Sequence, residues 1–157
     1  MKDRSFVSRL KKYGGLRLLT SNDFKVSAVI FATLYFFSVI PSSLGFLEAS
    51  IGFTSSLIAI VLTGLAIIVS LSNSSFISFL KDKAQVFDQL IFLFEWNAYI
   101  AIFTTLVGLA TVANGSIWLY RFFTFLLLYL SASILNLIAF VSYYGQVKAE
   151  FDKNNAQ

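Results

Sequence analysis

Serines, threonines and one asparagine recur along two apolar stretches of this chain at spacings that keep them on one face of a helix. Ser56, Thr63 and Ser70 are seven residues apart, and Gly64 lies beside the middle one. Asn97, Ala101, Thr104, Gly108 and Thr111 follow at intervals of four, three, four and three. With 3.6 residues per turn, each set forms a stripe of small or weakly polar groups. Two kinds of chemistry suit such a stripe. Small residues let helices approach closely in lipid, where hydroxyl and amide groups hydrogen-bond between them. Hydroxyls gathered around an axis instead replace part of an ion's water shell and line a pore. The two readings coexist if the stripes of several copies meet at one axis.

Isolated polar groups add further candidates. Glu95, beside Trp96, is the only acid well inside an apolar stretch, and an ionisable group within a span is a functional candidate by default. It either carries a proton or draws cations to a pore mouth, or it reaches to water and pairs with Lys81 or Lys83. Asn136 has Ala132, Ser133 and Ala139 on nearby turns and reads as a hydrogen-bonding contact between helices. Arg121 either extends to the headgroups or pairs with Glu48. No glycine-rich phosphate loop and no nucleophile paired with a base is present, and with no cysteine or histidine thiolate and imidazole metal sites are excluded. The chain is therefore not expected to be an enzyme, and neither a metal nor a cofactor is expected.

The elements that must position these residues are membrane helices. Of the 157 residues, 57% are hydrophobic and only 13% charged, about half the charged share of a soluble domain. The mean hydropathy is +0.78. The expected fold class is an all-α integral membrane protein forming one domain over 1–157, with four transmembrane helices at about 26–47, 54–73, 90–113 and 117–144. Pro41 lies late in the first span and removes a backbone donor, which predicts a bent connector before the second span. Ser21-Asn22-Asp23 offers helix-capping oxygens, and Asn114-Gly115-Ser116 reads as a tight turn. Trp118, Tyr120, Tyr143 and Tyr144 fit interfacial anchors at the ends of the fourth span. The tail after it is expected to fray or to extend the last helix.

Residues 1–25 contain seven basic residues against two acids. Phe6, Leu10 and Tyr13 share one helical face, so residues 1–20 read as a basic amphipathic segment on an anionic membrane surface. Arg9, Lys11 and Lys12 there, with Lys81 and Lys83 in the middle connector, are candidates for contact with lipid or with a cytoplasmic protein. All basic residues except Arg121 fall on one side of a four-span layout, which predicts a multi-pass cytoplasmic (inner) membrane protein with both termini inside. The expected partners are the lipid bilayer, further copies of the chain and a cytoplasmic protein. No nucleic acid partner is expected.

The layout, with basic MKDRSFVSRLKK, four spans, a short NGS outer turn and no soluble domain, resembles the small four-helix membrane subunits of prokaryotic anti-phage defence systems such as Kiwa. The resemblance is one of architecture, covers the whole chain and carries no site residue. It implies an oligomer that senses membrane disturbance and signals to a cytoplasmic partner. From the residues, the expectation is an oligomeric membrane sensor, anchor or channel-like component coupled to such a partner. The alternative is a small proton-coupled transporter using Glu95.

Overall fold

The computed structural model describes residues 21–36, 44–71 and 86–155. These form four helices: α1 (Asn22–Phe36), α2 (Leu44–Leu71), α3 (Val86–Asn114) and α4 (Ile117–Asn155). The basic segment 1–20, Pro41, Lys81 and Lys83 lie outside the described residues.

Three of the helices are long and apolar enough to cross a membrane, and the chain is a helical membrane protein. The 28 residues of α2 and the 29 of α3 reach about 42 and 44 Å, beyond a hydrocarbon core of about 30 Å. The 39 residues of α4 reach about 58 Å. The 15 described residues of α1 cover about 22 Å.

Local chemistry sets several of the boundaries. The Ser21 hydroxyl accepts the Phe24 amide at 3.3 Å and the Ser21 carbonyl accepts the Lys25 amide at 3.2 Å, so α1 begins on its expected cap. At the far end of α3 the Gly115 amide bonds the Thr111 carbonyl at 2.9 Å, with Gly115 at φ 59°. That left-handed backbone suits glycine and ends the helix. Ser116 then opens α4, its carbonyl accepting the Tyr120 amide at 3.0 Å.

Residues 44–53 differ from expectation: the sequence suggested a bent connector, and they are regular helix continuous with the second span. Packing supplies the reason. Leu47, Ser50 and Thr54 fall at helical spacing and are buried, and Leu47 enters a cluster with Val107, Tyr120, Phe123 and Leu126. The tail of α4 extends helically to Asn155, with Val147 and Phe151 packed on the core. A Lys148–Asp152 ion pair one turn apart, Nζ to Oδ2 2.7 Å, also bridges it.

The principal packings are α2 on α3, α3 on α4 and α1 on α4. Apolar clusters stack along the axis of α2, α3 and α4. One surrounds Phe123 near the Asn114–Ser116 turn, one joins Leu57, Ala101 and Leu130, and one surrounds Leu90 and Phe94 with Val61, Ile68 and Leu137. Aromatic edges attach α1 to α4: Phe24 meets Phe125 at 5.5 Å and Tyr129 at 6.0 Å, and Phe31 meets Phe125 at 5.7 Å.

Candidate functional site

The two stripes face opposite environments. On α3, Asn97, Ala101, Thr104, Gly108 and Thr111 are all buried, with Ala101 and Thr104 at 0% exposure. Gly108 lies tightly between α2 and α4. A Cβ on it would lie 2.7 Å from Ile51 Cγ1 on α2 and 2.8 Å from Phe123 Cε2 on α4, so no larger residue fits without displacement. The polar side chains of this stripe turn back on their own helix. Thr104 donates to the Ile100 carbonyl at 2.8 Å, Thr111 to Val107 at 2.7 Å and Asn97 Nδ2 to Leu93 at 2.9 Å. Asn97 Oδ1 is buried without a hydrogen-bond partner.

On α2, Ser56, Thr63 and Ser70 are exposed. Ser56 donates to the Gly52 carbonyl at 3.0 Å and Ser70 to Ile67 at 2.9 Å. The exposed row is longer than the serine and threonine pattern alone. Gly52, Ser56, Ala59, Thr63, Ala66 and Ser70 follow at four, three, four, three and four, and every one is exposed. Phe53, Ile60 and Ile67, also exposed, run alongside it at seven-residue spacing. Gly64 faces inward, where an added Cβ would meet Phe94 Cε1 at 3.0 Å.

One hydroxyl pair joins α2 to α3: Thr54 and Thr105, with Oγ1 atoms 2.9 Å apart and either able to donate. Sequence reasoning singled out neither. Thr54 belongs to the buried face Ser50, Thr54, Leu57, Val61 and Ile68, and its spacing of four from Ser50 and three to Leu57 was the available signal. Thr105 lies one residue past the α3 stripe. Its hydroxyl also bonds the Ala101 carbonyl at 2.9 Å.

The isolated candidates lie at separate places along α3 and α4. Asn136 Nδ2 donates to Asp23 Oδ2 at 3.1 Å, tying α4 to α1. Trp96 Nε1 donates to the Tyr129 hydroxyl at 3.1 Å, which Ser21 also approaches. Glu95, beside Trp96, is half-buried and its Oε2 atom is shielded from solvent. Arg121 makes no ion pair with Glu48. Its guanidinium lies 4.8 Å from the Tyr35 ring centroid and 5.3 Å from that of Trp118. Among the described residues, no group of three or more His, Cys, Asp or Glu side chains is placed to hold a metal ion. No family model matches the chain, and neither a curated protein nor a solved structure shows a significant likeness to it.

Proposed function

We propose that this chain is an oligomeric four-span protein of the cytoplasmic membrane, with both termini inside. It acts as a membrane sensor or anchor coupled to a cytoplasmic protein. The observation that carries the reading is the outward row of α2. Of the three long helices α2 is the least buried within the chain, at 22% of its most apolar stretch against 39% for α3 and 33% for α4. Its outward face carries an unbroken row of small residues and hydroxyls, flanked by the exposed Phe53, Ile60, Leu62, Ile67 and Val69. Lipid tails gain little from such a row, whereas a second copy gains close backbone approach. The segments suited to a cytoplasmic partner are the one with Arg9, Lys11 and Lys12 and the one with Lys81 and Lys83. The architectural resemblance to membrane subunits of anti-phage systems fits the same reading and suggests antiviral defence as its setting.

A channel draws less support. The α3 stripe is packed inside each copy, so Ser56, Thr63 and Ser70 are the stripe hydroxyls left for an oligomer axis. Burial of Glu95 Oε2 keeps a proton-coupled transporter as the second reading.

The test is the mass of the full chain in nanodiscs. The parent should be oligomeric, and Ala59→Leu or Thr63→Leu should leave monomers with unchanged helix content. A monomeric parent removes the proposal. With a bound cytoplasmic partner, charge reversal at Arg9, Lys11 and Lys12 should release it. Conductance that Thr63→Val reduces would instead select the channel, and transport lost in Glu95→Gln the transporter.

A further inference from the structure

Between α1 and α4, near the Asn114–Ser116 turn, lies an open groove of about 460 Å³. Phe31, Ala32 and Phe36 of α1 and Phe122 and Phe125 of α4 line it, and its rim carries Tyr35, Trp118 and Arg121. The groove has a direction. Phe125 is one turn further along α4 than Arg121, about 6 Å, and meets Phe31 edge to face at 5.7 Å. Arg121, with Trp118 and Tyr35, therefore stands nearer the interhelical turn than Phe31 and Phe125, and the part of the groove towards the middle of the bundle is apolar.

The Arg121 guanidinium is held by ring faces, Tyr35 at 4.8 Å and Trp118 at 5.3 Å, and not by an acid. Among the described residues it has neither an ion pair nor a hydrogen bond. A guanidinium presents five N–H donors in a planar fork that matches phosphate oxygens. Stacking on rings satisfies its faces and leaves that fork open. At the end of a membrane bundle this pairs an unneutralised positive charge with an apolar trough.

We propose that this groove binds an anionic phospholipid of the adjacent leaflet, its phosphate on Arg121 and one acyl chain along Phe31, Phe122 and Phe125. Charge complementarity selects the class. The phosphate of phosphatidylglycerol meets a cation that no carboxylate among the described residues offsets. A choline headgroup adds a second positive charge beside it, and the ring faces that would receive that charge are already covered by Arg121. The site does not depend on the α2 row or on the oligomer.

The experiment is native mass spectrometry of the full chain released from nanodiscs of equal phosphatidylglycerol and phosphatidylcholine. The parent should retain phosphatidylglycerol preferentially. Arg121→Gln should cut that retention about five-fold, the size expected for one basic charge at a lipid surface, while Arg121→Lys keeps most of the preference. Ala32→Trp, which fills the trough and leaves the cation in place, should reduce retention of both lipids. Lys148→Gln, on the tail of α4, should change nothing. Added glycerol 3-phosphate should not displace the lipid, since it lacks the acyl chains. Equal retention by parent and Arg121→Gln, no effect of Ala32→Trp, or displacement by glycerol 3-phosphate would each overturn the proposal.

Discussion

The α2 and α3 stripes obey the same spacing and end in opposite places. On α3 the small and polar residues are inside, while Tyr99, Ile102, Phe103, Leu106, Leu109 and Val112 are exposed. On α2 Leu57, Val61 and Ile68 are inside with Ser50 and Thr54, and the small row is outside beside Ile60, Leu62, Ile67 and Val69. In lipid, large side chains lose nothing by facing outward, and close approach of backbones is what holds helices together. The α3 arrangement uses that logic within one copy. The outward row of α2 leaves it unused within one copy, which is why that row is the surface on which assembly is proposed.

The largest expected effect comes from blocking close approach on α3. Gly108→Leu puts a branched side chain where even a Cβ would lie 2.7 Å from Ile51 and 2.8 Å from Phe123. We expect destabilisation of about 3 kcal/mol, read as loss of the folded bundle in a reversible unfolding assay in bicelles. The matching change on α2, Ala59→Leu, should leave stability of the single chain within about 0.5 kcal/mol and act on assembly alone. If both variants unfold alike, the two rows do not differ as described.

A finer test concerns the Thr54–Thr105 hydroxyl pair that links α2 to α3. Thr54→Val and Thr105→Val, with the double variant, should show a coupling of about 0.6 kcal/mol. Thr63→Val, whose hydroxyl is exposed, should show no coupling to Thr105→Val. A coupling at Thr63 as large as that at Thr54 would reverse the assignment of the two faces of α2.

The smallest effect is expected at Asn97. Its amide nitrogen bonds only its own helix and Oδ1 is buried without a partner. Removing a half-satisfied polar group and filling its space is close to neutral, so Asn97→Leu should unfold within about 1 kcal/mol of the parent. A much larger loss would show that the asparagine does more than pack.

How much of this was legible beforehand depends on the range of the interaction. The helical class, the three long apolar helices, the Ser21 cap and the glycine turn at Asn114–Ser116 follow from residues within a few positions of one another. The stripe on α3 was legible as a stripe because periodicity is local. Which face of α2 turns inward was not. Its two seven-residue patterns, Thr54-Val61-Ile68 and Ser56-Thr63-Ser70, are offset by two residues, about 200° around the helix. Periodicity ranks neither above the other.

The sequence by itself determined that lipid is this protein's solvent, because 57% hydrophobic residues with 13% charged leave too little polar surface for water. It also determined where α1 begins and where α3 turns into α4, since caps and glycine geometry act over a single turn. The tertiary structure decided that residues 44–53 are helix, because Leu47 finds a pocket beside Tyr120 and Phe123. It decided too that Asn136 meets Asp23 and that Arg121 rests against Tyr35. Those contacts join residues far apart along the chain, and what selects them is the fit of one helix surface against another, which no spacing within a single helix encodes.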